Sequence, residues 1–119
     1  MAPNGWLRLE LRYLAALQAI AAAGSFGRAA EELGYTQSAV TQQIAALERL
    51  VGVPLIDRPG GPRPVALTPA GALLLRHAEA ILARTRIAEA QLRTLSRRRC
   101  RFGRRRGDQV GGEQAAARY

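Results

Sequence analysis

Four polar side chains at close spacing, Gln37, Ser38, Thr41 and Gln42, hold the chemistry that stands out in this chain. An amide offers a donor and an acceptor side by side, the pairing needed to read an adenine edge, and a hydroxyl reaches a phosphate or a base. Helical spacing at about 100° per residue sets Ser38, Gln42, Ala45 and Arg49 in one direction, with Thr41 on the flank and Gln37 at the N-terminal end. Val40, Ile44, Leu47 and Val51 fall on the opposite side as a buried stripe. Thr36 is a suitable N-cap and Gly52 a stop, so the spacing predicts a helix with a slim hydrogen-bonding outer face. Arginines are the other candidates. Arg28 lies just after Ser25, a second N-cap, and within the segment DRPGGPRP Arg58 and Arg63 flank the tip. There they suit the phosphates and the electronegative minor groove of a nucleic acid.

No catalytic set can be assembled around the single His77, and the nine carboxylates fall mainly on helix faces as partners for Arg. The chain therefore does not read as an enzyme. One Cys and one His cannot build a structural zinc site, and a lone Cys100 excludes an internal disulfide framework. His77 reads as a surface or interface residue, Cys100 as an exposed thiol, and Gly60-Gly61 as a turn between prolines with no nucleotide fingerprint. Neither metal nor cofactor is expected.

The chain has 119 residues, with 18 basic residues, all Arg, against 9 acidic ones, a net charge of +9. Such a balance favours a polyanionic partner, double-stranded DNA first. Apolar stretches stop well short of twenty residues and the N-terminus has no basic region leading into an apolar run, which predicts a cytoplasmic chain without a membrane partner.

Elements able to position these groups follow from periodicity. Residues 1–8 read as a short arm whose Trp6 packs back on the body. Apolar residues at spacings of three and four predict a first helix over 10–23, ended by Gly24. Ser25 caps a two-turn helix with Phe26, Ala29, Ala30 and Leu33 on one side, stopped by Gly34. The helix carrying Gln42 follows after a tight turn, which is the helix-turn-helix arrangement. Val53 to Ile56 and Val65 to Leu67 are β-prone and enclose the basic, Pro- and Gly-rich tip of a hairpin. Thr68-Pro69 starts a last helix, in which Leu74, Ala78, Ile81, Thr85, Ala88, Leu92 and Leu95 form a seam suited to pairing with a second copy of the chain. The expected fold is mainly α: a winged helix-turn-helix of three helices and a two-stranded wing over 1–67, a dimerisation helix over 68–96, and an Arg-rich disordered tail over 97–119.

The segment from Glu10 to Leu95 resembles the LysR-type transcriptional regulator family. The motifs that carry the likeness are Gly24-Ser25-Phe26 with Ala29-Ala30, the run Thr36-Gln37-Ser38-Ala39-Val40-Thr41-Gln42-Gln43-Ile44, then Leu47-Glu48, Gly52-Val53-Pro54-Leu55, and Leu67-Thr68-Pro69-Ala70-Gly71. The resemblance implies a third helix entering the major groove, a wing at the minor groove or backbone, and a dimer on an interrupted inverted repeat. It assigns Gln37, Ser38, Thr41 and Gln42 to bases or nearby phosphates and the wing arginine, here Arg63, to the minor groove; Ser25, Arg28, Thr36, Gln43 and Arg58 are further expected DNA contacts. Position 42 is Gln where many members carry Arg, the wing tip is slightly extended, and the effector-binding domain is not in this sequence. A chain of this kind is expected to sense no small-molecule effector. The expected reading is a regulator truncated before that domain, with two other readings open: a partner that captures full-length regulators as heterodimers, and a non-specific nucleic-acid binder acting through the Arg-rich tail.

Overall fold

A computed structural model describes residues 5–58 and 63–102. A short 3-10 turn, Gly5–Arg8, leads into α1 (Leu11–Ala23), α2 (Phe26–Leu33), α3 (Gln37–Val51), the strands β1 (Ile56–Asp57) and β2 (Ala66–Leu67), and α4 (Pro69–Phe102). The arm does turn back on the body, against α3, although Trp6 stays half exposed. Each helix begins and ends for a local reason. Ser25 Oγ accepts from the Arg28 N–H at 3.1 Å, and Thr36 Oγ1 accepts from the Ala39 N–H at 3.0 Å. Each cap satisfies a backbone donor that the first helical turn leaves without a partner. Gly24, Gly34 and Gly52 end the first three helices at φ 79, 77 and 87°, a left-handed backbone that side chains with a Cβ rarely adopt.

α1, α2 and α3 pack on one another around Leu14, Leu17, Ile20, Ala29, Val40, Ile44 and Leu47, all with no exposed surface. Burying a Leu or Ile side chain stabilises by roughly 1.5–3 kcal/mol, so this apolar cluster holds the three-helix body together. The strands pair antiparallel, Ile56 opposite Leu67 and Asp57 opposite Ala66. The pairing is shorter than the β-prone stretches suggested, and Val53 lies outside it and exposed. The hairpin tip, residues 59–62, lies outside the described residues.

The base of the wing is tied to α3 and to the start of α4. Glu48, near the end of α3, places Oε2 to accept from the N–H groups of Leu55 and Ile56 at 2.8 and 3.2 Å. Thr68 caps α4 by accepting from the Gly71 N–H at 3.0 Å, and the same hydroxyl donates to the Pro54 carbonyl at 2.7 Å. Its own N–H donates to the Leu55 carbonyl at 3.0 Å. Gly71 is required because a Cβ there would stand 2.1 Å from the Leu55 oxygen.

Two expectations need correction. Leu74 and Ala78, assigned to a dimer seam, are buried within the chain's own core together with Leu82. The first turns of α4 supply a further wall of the winged-helix body, and the first compact unit accordingly extends to Ala83 instead of ending at residue 67. A second unit begins at Arg84. The helix also does not stop at residue 96 but continues to Phe102, so residues 97–102 of the presumed tail are helical. Arg favours the helix nearly as much as Ala does, and neither Gly nor Pro interrupts the run before Gly103. The rest of the presumed disordered tail, 103–119, lies outside the described residues. Among the described residues no helix is long and apolar enough to cross a membrane.

Candidate nucleic-acid interface

Ser38, Thr41 and Gln42 lie exposed on α3, opposite the buried Val40, Ile44 and Leu47. Gln37 is exposed at the first position of the helix. Its Oε1 lies 3.4 Å from where a Cβ on Gly27 would stand, so the Gln37 side chain approaches the first turn of α2. Gln43 is displaced from this set. It lies only about 60° round the helix from Val40, on the flank of the buried stripe. Its Oε1 is buried with no hydrogen-bond partner among the described residues. An inward-turned amide cannot also reach a base edge, so Gln43 does not share the exposed face on which it was expected.

The starts of α2 and α3 are adjacent, and each side-chain cap uses only the third N–H of its helix. In any helix the N–H groups of the first turn have no partner within the helix. The helix dipole makes such ends favourable for an anion. Ser25 and Thr36 thus act first as caps, with their hydroxyls committed to Arg28 and Ala39. Arg28 is exposed on the first turn of α2. No ion pair joins it to Glu31 or Glu32 among the described residues, where the pairs are Arg12 with Glu10 and Arg93 with Glu89. The bond from Arg12 Nε to Glu10, at 2.6 Å, raises the Arg12 pKa above its ordinary value.

The wing joins the same region. Arg58 places its guanidinium 5.0 Å from the centroid of the Phe26 ring. A cation over a ring face at this distance is attracted by about 0.5–1 kcal/mol when exposed, enough to bias the side chain toward α2. The Val65 N–H donates to the Gly24 carbonyl at 3.1 Å, and Pro64 lies 3.6 Å from a Cβ built on Gly24. The second wing strand is therefore fastened to the turn between α1 and α2. Arg63 is exposed one residue before Pro64. Residues far apart in sequence, Ser25 to Arg28, Gln37 to Gln42 and Arg58 with Pro64, are thereby held by adjoining elements.

Sequence reasoning missed two positioning residues. The carboxylates were read as partners for Arg, whereas Glu48 serves two backbone N–H groups of the wing. Phe26 was read as a core position, whereas it also carries Arg58. Neither has a signature in spacing: a carboxylate serving backbone N–H groups looks in sequence like one paired with Arg, and so does a ring beneath a wing arginine look like a core ring.

Of the seam, Ile81 is 38% exposed, Leu92 64% and Leu95 54%, with Ala88 exposed and Thr85 half-buried. Ile87 is a further exposed apolar residue of the same helix.

Three helices, the second and third joined by a tight turn, a two-stranded wing and a flanking long helix define a winged helix-turn-helix protein. Residues 11–72 match the family of bacterial regulatory helix-turn-helix proteins of the lysR type, and the chain belongs to that family. It is 47% identical over 77 residues to a probable RuBisCO transcriptional regulator of Cyanophora paradoxa, an alignment covering 65% of this chain and 23% of that protein. It is 44% identical over 87 residues to the Hca operon transcriptional activator HcaR of Escherichia coli K12, covering 73% and 29%. The chain thus spans under a third of each of these relatives. A solved complex of the CbnR DNA-binding domain with DNA superposes with a TM-score of 0.67 at 34% identity, covering 74% of this chain and 99% of that one.

Proposed function

We propose that the chain binds duplex DNA in a sequence-specific manner and regulates transcription in the bacterial cytoplasm, as a homodimer on an interrupted inverted repeat. It is a regulator and not an enzyme. The observation that carries this reading is the exposed stripe of Ser38, Thr41 and Gln42 on a helix whose start abuts the start of α2. An α-helix fits the major groove, where an amide pairs with the N6 and N7 positions of adenine. Gln42 and Gln37 are the base readers, and Ser38 and Thr41 reach bases or nearby phosphates. Arg28 and the helix starts capped by Ser25 and Thr36 meet backbone phosphates, which set the register. Arg58, held by Phe26, and Arg63 approach the minor groove from the wing. The likeness to a domain named in complex with DNA supports the same reading.

Pairing of two copies uses the part of the seam that remains exposed: Ile81, Ala88, Leu92 and Leu95. Leu74 and Ala78, already buried in the core, do not contribute to the interface. The test is selection of bound sequences from a random duplex library at moderate salt. Enrichment of a spaced inverted repeat is the expected outcome; strong binding with no enriched motif would overturn the reading.

A further inference from the structure

The charge is not where the base-reading face is. Residues 1–83, which include α1 to α3 and the wing, carry seven Arg against six acids, a net +1. Residues 84–119 carry eleven Arg against three acids, a net +8 of the chain's +9. Three of the five arginines of that unit whose side chains are described, all but Arg84 and Arg98, share one side of the helix. Arg86, Arg93 and Arg97, spaced by seven and four residues, fall within about 40° of one another round α4. The apolar Ala88, Leu92 and Leu95 centre about 150° away, so a helix pairing through them directs the arginines outward. All three arginines are exposed.

Two ordinary explanations fall short. Cations near a helix C-terminus are favoured by its dipole, but only within the last turn. Arg86 lies about four turns before Phe102. A solvated helix face usually mixes signs so that neighbours pair; here the one acid among the described residues of this unit is Glu89, joined to Arg93 at 2.7 Å. An exposed pair of this kind is weak, so Arg93 exchanges readily onto a stronger anion. Arg86 and Arg97 make no ion pair among the described residues.

We propose that Arg86, Arg93 and Arg97 form a second phosphate-binding surface, blind to sequence, which engages the backbone of duplex DNA and adds to the chain's non-specific affinity. Because the helix-turn-helix unit is nearly neutral, its face supplies discrimination while this stripe supplies attraction. The surface adds to the proposed base readout and does not replace it. The two are separable by experiment: the ratio of target to random affinity reads the α3 face, and the salt dependence reads the stripe.

The test compares the full chain with R86Q/R93Q/R97Q and with R86K/R93K/R97K, by binding to a selected target duplex and to a random duplex of equal length over a series of salt concentrations. Removing one arginine from a phosphate lowers the slope of log affinity against log salt by about 0.9. The Gln variant is expected to lose about 2.7 per chain on both duplexes, with their affinity ratio unchanged. The Lys variant, which keeps the charge, is expected to retain the slope. Gln matches Arg closely in helix propensity, and circular dichroism checks the fold; the single R97Q, expected to lose about 0.9, serves if the triple variant is unstable. An unchanged slope in the Gln variants, or a loss confined to the target duplex, would overturn the proposal. A wild-type ratio near one would instead overturn base readout and leave the stripe standing.

Discussion

Replacing Gly71 by Ala separates two physical effects with opposite signs. Gly71 has no left-handed backbone, so on conformational grounds Ala is compatible and should stabilise the helix by about 0.4–1 kcal/mol. Space argues the reverse. The added Cβ would stand 2.1 Å from the Leu55 oxygen, and ordinary contact begins at 3.4 Å, so the two backbones must part by about 1.3 Å. That oxygen accepts from the Thr68 N–H at 3.0 Å, and the adjoining Pro54 carbonyl accepts from the Thr68 hydroxyl at 2.7 Å. Opening by that distance carries both beyond about 3.5 Å, where a hydrogen bond is no longer made. The two bonds contribute about 1 kcal/mol each, and forced overpacking costs about 1–3 kcal/mol. Set against the helix gain of about 0.4–1 kcal/mol, the expected net destabilisation is about 2–4.5 kcal/mol, a large share of the roughly 5–15 kcal/mol that holds a domain folded. Urea unfolding followed by helical circular dichroism, at one protein concentration so that association does not confuse the comparison, reads it directly. A midpoint equal to or above that of the wild type would refute the reasoning.

Glu48→Ala leaves the Leu55 and Ile56 N–H groups without their carboxylate, and should destabilise by about 2–4 kcal/mol, read by the same unfolding assay. Thr36→Ala removes the acceptor for the Ala39 N–H; a loss of about 1 kcal/mol is expected, with Thr36→Ser restoring most of it in parallel melts. Gln42→Ala should weaken binding to a selected target by about 1–3 kcal/mol while leaving random-duplex affinity nearly intact. Equal losses on both duplexes would remove Gln42 from base readout.

The parts of this fold written in local chemistry were legible from the sequence. Ser25, Thr36 and Thr68 cap where hydroxyl residues precede apolar periods, and Gly24, Gly34 and Gly52 end helices in the conformation that favours glycine. The exposed set of Ser38, Thr41 and Gln42 followed from the helical period alone. Features decided by tertiary packing were not legible. Gln43 is sequence neighbour to Gln42, and only 100° of rotation puts one in solvent and the other against the core flank. Glu48 carries no mark that distinguishes a carboxylate serving a strand from one paired with Arg. The strands are shorter than the β preference of Val53 and Val65 suggests, and at their base Glu48 and Thr68 bond the backbone of Leu55, Ile56 and Pro54. The helical course of residues 97–102 was obscured by charge, which suggests disorder even where every residue is an adequate helix former.

The seam on α4 shows how one apolar period can serve two surfaces. Spacing alone joins Leu74 and Ala78 to Ile81, Ala88, Leu92 and Leu95, since it records that a side is apolar and not what covers it. The structure divides the row: Leu74, Ala78 and Leu82 close the core, whereas Ile81 is 38% exposed beside Leu82 at 9%. Neighbouring residues with opposite duties predict opposite phenotypes for the same substitution. Leu82→Asp removes a buried side chain and places a carboxylate where water is excluded, costing more than about 4 kcal/mol and unfolding the body. Ile81→Asp leaves the body intact, with a change within about 1 kcal/mol, and instead sets a charge in the pairing surface. Sedimentation and melting measured together distinguish them: a folded monomer for Ile81→Asp and loss of cooperative melting for Leu82→Asp. A folded Leu82→Asp dimer would mean that the first turns of α4 do not close the core, and an unaltered Ile81→Asp dimer would mean that the copies pair through another face.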